Sequence, residues 1–223
     1  MYRSKLYTSC PMPSKKEPIN VLILNASLKH KKDGVSNTEE VAQQVVKFMK
    51  DHGKVASEII RLSDKNIPVG LKFRMNNSDE WPAIVSKIKK ADIIIFATPV
   101  WWGQRSSLMQ RIIERMDAFD EESSSTGRSA LLNKVAGVVI TGSEDGAQHV
   151  LATILEVLTF MNFTIPPQCC TYWVGEVGMD PKTDRKRRLK SKAVKHMAQN
   201  TARNLMYYAQ LLKLHPMKPA EKK

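Results

Sequence analysis

Three apolar runs of strand length, Ile19–Asn25, Ala91–Ala97 and Lys134–Thr141, set the strongest limit on how this chain folds. None reaches the roughly 18–20 residues of a membrane span. None shows the polar alternation of a strand with one wet face, so each reads as a strand buried on both sides. Between them lie helical patterns, with apolar residues three and four apart. Val41, Val45, Val46 and Met49 share a face within Asn37–His52, and Ile84, Val85 and Ile88 do so within Ser78–Lys90, with Ser78 or Asp79 as its cap. Leu108, Ile112, Ile113 and Met116 mark a third helix, and Val150, Ile154, Val157, Leu158 and Met161 a fourth within Ala147–Met161. Val55–Leu62 alternates as a further strand, and Thr164–Val174 holds a fifth, with Pro166 and Pro167 near its start.

The last long segment, Thr183–Leu214, places Leu189, Ala193, Met197, Thr201, Leu205, Tyr208 and Leu212 on one side of a single amphipathic helix. Five strands alternating with five helices predict a parallel α/β sandwich with helices on both faces of the sheet. Residues 19–215 read as one domain, residues 1–18 as a polar, proline-bearing extension and 216–223 as a tail. The stretches Asp64–Asn77 and Glu121–Ser129 read as long loops.

Charge is the unusual bulk property: 35 Lys and Arg against 22 Asp and Glu give +13. That balance favours anionic partners. Eight basic residues (Lys182, Arg185, Lys186, Arg187, Arg188, Lys190, Lys192, Lys195) face one acid, Asp184, between 182 and 195. This run reads as a solvated helix face, or as a patch toward a phosphorylated nucleotide or a partner subunit. No aromatic interleaves it before Tyr207, which disfavours a nucleic-acid surface. Membrane binding is disfavoured because the apolar stripe of the same helix is needed to cover the sheet. Of three cysteines, Cys10 stands alone and Cys169 and Cys170 are neighbours; with no C-x-x-C there is no zinc or thioredoxin-type signature. Reduced thiols and the lack of an apolar leader point to a cytoplasmic protein.

In an open parallel sheet, ligands bind beyond the carboxyl ends of the strands, where the strand order reverses. Three loops therefore carry the functional question. The first runs Asn25-Ala26-Ser27-Leu28-Lys29 through Ser36-Asn37-Thr38 into a helix, offering hydroxyls, an amide and a lysine where a helix N-terminus attracts anions. The same residues also suit plain N-capping. The loop is neither a Walker loop nor a G-x-G-x-x-G fingerprint. The second, Thr98-Pro99-Val100-Trp101-Trp102-Gly103, sets two indoles after a buried strand, for a flat ligand, for core packing or for a subunit contact. The third, Thr141-Gly142-Ser143-Glu144-Asp145-Gly146, is a glycine-bracketed turn at a helix start.

Together these three segments resemble the NADPH-dependent FMN reductase family, over about residues 19–175 and in the right order. The resemblance implies a flavodoxin-like three-layer sandwich, a five-stranded parallel sheet of order 2-1-3-4-5 with FMN bound non-covalently at its edge. Carried over by position, Ser27, Lys29, Ser36, Asn37 and Thr38 would hold the phosphate. Pro99, Val100, Trp101, Trp102 and Gly103 would line the isoalloxazine, and Thr141, Gly142, Ser143, Asp145 and Gly146 would touch its other edge. The chain departs from the family in three places. Asn25-Ala26 stands where a glycine usually precedes the serine, His30–Val35 lengthens the first loop, and Trp101 replaces a tyrosine. Residues 66–77 hold no cysteine, so the iron–sulfur branch of the family lacks its ligands here.

The resemblance implies hydride transfer from NADPH or NADH through FMN to a quinone, free flavin, azo or nitro acceptor in a ping-pong cycle. It also implies a homodimer or homotetramer whose neighbouring chain closes the flavin pocket; Trp101-Trp102 and the Phe73–Met75 loop are the plausible contacts. No Ser-His-Asp or paired-carboxylate site is recognisable, so no side chain is assigned a catalytic role and no metal is expected. Two rivals are a flavodoxin-type electron carrier, normally acidic and therefore at odds with +13, and a flavin-fold regulatory protein using its basic helix on anionic partners.

Overall fold

The structure is a computed structural model that describes residues 17–219. Almost all of the proposed extension, Cys10 and the last residues of the tail lie outside the described residues. Strands β1 (Ile19–Asn25), β2 (Val55–Arg61), β3 (Ile93–Trp101), β5 (Val135–Gly142) and β6 (Cys170–Val174) form a parallel sheet of order β2-β1-β3-β5-β6. The fold is flavodoxin-like. A two-residue strand β4 (Gln104–Arg105) pairs antiparallel with the end of β3 and adds a hairpin at its tip.

Alternate residues of the central strands feed two apolar layers, which is why those strands read as continuous runs. Leu22, Leu24, Ile94 and Phe96 face the layer covered by α2 (Trp81–Lys90), α3 (Ser107–Arg115), α4 (Ala118–Thr126) and α5 (Ala147–Phe160). Val21, Ile23, Ile93 and Ile95 face the layer of α1 (Asn37–Met49) and the last helix.

Four expectations need correction. The final segment is two helices, α6 (Pro181–Lys190) and α7 (Lys192–Leu214), because Ser191 leaves the helical conformation and caps α7 through Oγ, which accepts the Val194 N–H at 3.3 Å. The inward stripe shifts accordingly to Val194, Ala198, Ala202, Leu205, Met206 and Ala209, and Leu189 is 46% exposed. Residues 121–126, read as loop, belong to α4, which stops at Gly127 in the left-handed region (φ 71°). The fifth strand spans only Cys170–Val174; Thr164 keeps one isolated bridge to Val135 across the Pro166-Pro167 interruption. The basic run is not uniformly solvated, since Asp184 and Arg188 are buried. Cys169 and Cys170 are both unpaired thiols, and burial pushes both thiol pKa values up.

Lys134 gives the far end of the sheet a testable signature. It is 8% exposed, and its Nζ donates to the carbonyls of Lys89 (2.8 Å) and Ala91 (2.7 Å) at the end of α2. Burial lowers its pKa from 10.5 to about 8, against the attraction of Asp92. A neutral amine still has hydrogens for both carbonyls. Because the unfolded chain holds this proton up to higher pH, the penalty for burying the charge is present below about pH 8 and disappears as the pH rises toward the unfolded value. The stability of wild type relative to Lys134→Met therefore increases between about pH 8 and 10, as read by urea unfolding across that range.

Candidate functional site

The strand order reverses between β1 and β3, and a cleft of about 420 Å³ opens at their carboxyl ends. The first wall is the loop after β1. Its shape is set from within: Asn25, fully buried, accepts the Ser27 N–H at 3.1 Å through its side chain and donates to Glu39 at 3.1 Å and to Ser36 Oγ at 3.4 Å. Ser36 Oγ in turn accepts the Glu39 N–H at 3.2 Å, capping α1. The N–H groups of Asn37 and Thr38 precede the first intrahelical bond of α1 and remain for a ligand. Thr38 Oγ1 lies 2.7 Å from Thr141 Oγ1, tying this helix start to the end of β5.

The lengthened part of the loop is anchored outside the cleft. A short 3₁₀ turn, Lys31–Asp33, is held by Asp64, which pairs with His30 (3.1 Å) and accepts the Lys31 N–H (3.1 Å). Ser63 Oγ donates to the Lys29 carbonyl at 2.8 Å, so the turn just after β2, Leu62–Asp64, braces the same loop.

The second wall is the β3–β4 hairpin. Trp102 sits at its turn with φ 51° and 87% exposure, and Trp101 is half exposed. Neither indole belongs to the core, which removes the core-packing alternative for this pair. Ser106, next in the chain, caps α3 and donates through Oγ to the Ala26 carbonyl at 2.8 Å, joining the first two walls. The third wall is the turn after β5, where the Glu144 carboxylate accepts the backbone N–H of Trp102. Gly146 (φ 121°) lets this turn approach the hairpin so closely that a Cβ on it would lie 2.7 Å from the Cα of Gly103.

Of the residues singled out by sequence, Ser27, Lys29, Asn37, Thr38, Pro99, Val100, Trp101, Trp102, Thr141, Gly142 and Ser143 line the one cleft. Ser36 does not; it is a buried cap. Gly103 and Gly146 form the joint between two walls rather than lining the cleft, and Asp145 points to solvent. The cleft also takes in Leu28, Glu144, Trp173, Val177 and Gly178. The last three form a fourth wall at the end of β6 and in the loop that follows it. The signal for it was the tryptophan near the end of the strand beside β5.

This donor set suits a riboflavin phosphate. Two hydroxyls, an amide, one lysine and a helix N-terminus match a phosphate dianion, and three indoles, Trp101, Trp102 and Trp173, match a flat ring system. Among the described residues no group of three or more His, Cys, Asp or Glu side chains converges as a metal site would require, and no helix is long and apolar enough to cross a membrane.

The profile of the NADPH-dependent FMN reductases matches residues 19–176. The chain belongs to that family. FMN and NADPH are accordingly the cofactor and reductant the family implies. The 8-demethyl-8-aminoriboflavin-5′-phosphate synthase of Streptomyces davaonensis is 33% identical over 174 residues, covering 73% of this chain and 66% of that protein. The divalent metal cation transporter MntH of Mycobacterium bovis is 33% identical over 173 residues, covering 76% of this chain but 25% of the transporter. The chain thus spans less than two thirds of both curated relatives. A crystal structure of RosB with the bound intermediate 8-demethyl-8-formylriboflavin-5′-phosphate superimposes with a TM-score of 0.75 at 27% identity, covering 89% of this chain and 82% of that one.

Proposed function

We propose that this family member is an NAD(P)H oxidoreductase that holds FMN in the cleft and passes reducing equivalents to a quinone, free flavin, azo or nitro acceptor. The observation that carries this reading is the meeting, in one cleft, of the α1 N-terminus with the exposed indoles of the β3–β4 hairpin. FMN, when bound, supplies hydride acceptance and its return to an acceptor. The chain supplies binding and orientation. Ser27, Lys29, Asn37 and Thr38 hold the phosphate, with Ser36 fixing where the helix begins. Pro99, Val100, Trp101 and Trp102 form the ring platform, and Thr141, Gly142 and Ser143 shape the opposite edge, while Gly103 and Gly146 hold these two walls together. Pyridine nucleotide and acceptor use the open side of the cleft in turn, the ping-pong order, and surface lysines attract the nucleotide's phosphates. A homodimer or homotetramer in the cytoplasm completes this reading.

A second reading is favoured by the likeness to the aminoriboflavin phosphate synthase and to RosB: the riboflavin phosphate is the substrate, consumed rather than recycled. One experiment separates the two. Purified protein is loaded with FMN, reduced anaerobically with NADPH, then exposed to a quinone. The visible flavin bands are expected to bleach and return in full, with the flavin recovered at unchanged mass. A flavin of altered mass establishes the second reading. Bleaching by dithionite but not by NADPH or NADH indicates an electron carrier, and failure to bind flavin overturns all three.

A further inference from the structure

Three acceptors converge on the guanidinium of Arg188, which is 1% exposed. Nη1 donates to Asp184 Oδ2 at 2.6 Å, and Nη2 donates to Glu40 Oε2 at 2.7 Å and to Asn37 Oδ1 at 3.0 Å. The other carboxylate oxygen of Asp184 accepts the indole N–H of Trp173 at 2.8 Å. One turn of α6 therefore grips side chains from two separate walls of the cleft, Asn37 at the start of α1 and Trp173 near the end of β6. Gly175 is part of the fit, since a Cβ there would run into Asp184 Oδ1. Burial opposes ionisation of Glu40, but hydrogen bonds from Arg185 and Arg188 outweigh it and hold its carboxyl below the usual range.

The chemistry of the guanidinium decides how Asn37 is turned. Arginine donates and cannot accept, so the atom of Asn37 that faces it is the amide oxygen. The Nδ2 hydrogens are left as the free end of a side chain that lines the cleft. Without Arg188 the amide could turn a lone pair as easily as an N–H toward an anion. As a stability device the arrangement is a poor one. Buried ion pairs add little net stability, and Arg188 Nε has no acceptor among the described residues. Helix α6 also starts beyond residue 176, where the family match ends.

We propose that Arg188 is a positioning residue for anion recognition: it sets the Asn37 amide as a hydrogen-bond donor to the phosphate at the start of α1. This rests on the reading that a riboflavin phosphate occupies the cleft. The test is a fluorescence titration with FMN and with riboflavin, which differ only in the phosphate, on wild type, Asn37→Ala, Arg188→Lys and the double variant. Wild type is expected to prefer FMN. Arg188→Lys keeps a cation between Asp184 and Glu40 but cannot reach three acceptors. It is expected to lose on the order of tenfold in that preference, about the worth of one charge-assisted hydrogen bond, with riboflavin affinity unchanged. Adding Asn37→Ala then costs nothing more, because the two residues act as one unit. Arg188→Gln, neutral and still able to donate to Asp184, is read in the same way beside it. An FMN preference that survives in the Arg188 variants, or an equal loss for both ligands, overturns the proposal and leaves the phosphate reading standing. A wild type with no preference overturns the phosphate reading itself.

Discussion

Arg115→Met is expected to destabilise the protein by about 3–5 kcal/mol, the range for breaking a buried ion pair from one side, out of a total of about 5–15 kcal/mol for a typical domain. The Arg115 and Asp79 side chains are both fully buried and 2.7 Å apart. The same guanidinium also donates to the carbonyls of Pro68 (2.8 Å), Lys72 (2.7 Å) and Phe73 (3.1 Å). Asp79 in turn accepts the N–H groups of Met75 and Trp81, both at 2.9 Å. One arginine on α3 thus holds the whole crossing from β2 to α2 against the core. Methionine fills similar space but leaves a carboxylate and three carbonyls without their donor. The urea midpoint should fall accordingly, and limited proteolysis should cut first between residues 67 and 79. Combining Arg115→Met with Asp79→Asn should cost less than the sum of the two single changes. Burial opposes ionisation of Asp79, but its hydrogen bonds, led by that from Arg115, outweigh it and lower the pKa below 3.8. The pair's contribution is therefore complete above that value and is lost as the pH falls through the lowered one.

The largest expected effect on the cleft comes from Gly146→Ala. The added Cβ would sit 2.7 Å from Gly103 Cα and 3.0 Å from its carbonyl oxygen, both backbone atoms that cannot rotate away. The backbone at Gly146, with φ 121°, is in addition one that L-residues rarely adopt, a strain of about 1–3 kcal/mol. Relief requires the β3–β4 hairpin and the turn after β5 to part, which separates the two walls that Trp102 and Glu144 join. Flavin affinity should fall by at least about tenfold, the equivalent of 1.4 kcal/mol, as measured by titration. Gly103→Ala is the matched control. A Cβ there meets nothing within 4 Å, and the left-handed φ of 71° costs about 1–2 kcal/mol without pushing on the other wall. The same methyl group on two touching glycines should thus have unequal effects.

The strands that carry the site were legible because burial on both faces leaves an unbroken apolar run. Ile19–Asn25 is both the run and the observed β1, and the loops after β1, β3 and β5 could be placed from such runs. Shorter or weaker signals were not legible. Strand β4 has two residues, too few for any periodicity, and it exists because Trp102 turns the chain back on itself. Helix α4 ends in Ser123-Ser124-Ser125-Thr126, a composition that reads as loop until Phe119 is seen packed edge-on against Phe73, with ring centroids 5.0 Å apart. The basic stretch was legible in charge but not in burial: Asp184 and Arg188 are four apart on a helix, a spacing that signals a pair, yet its destination at Asn37 and Glu40 lies about 150 residues away in the chain. Ser36 shows the converse limit, because a serine that caps a helix and one that binds a phosphate look alike in sequence.

The placement of the indoles has an optical consequence. The chain has four tryptophans, and three of them, Trp101, Trp102 and Trp173, line the cleft, while Trp81 alone is sealed in the core. Three of the protein's four ultraviolet-emitting indoles therefore stand at the place where a ligand would lie. The fold carries its own occupancy gauge: a ring system entering the cleft is reported by the protein's own light.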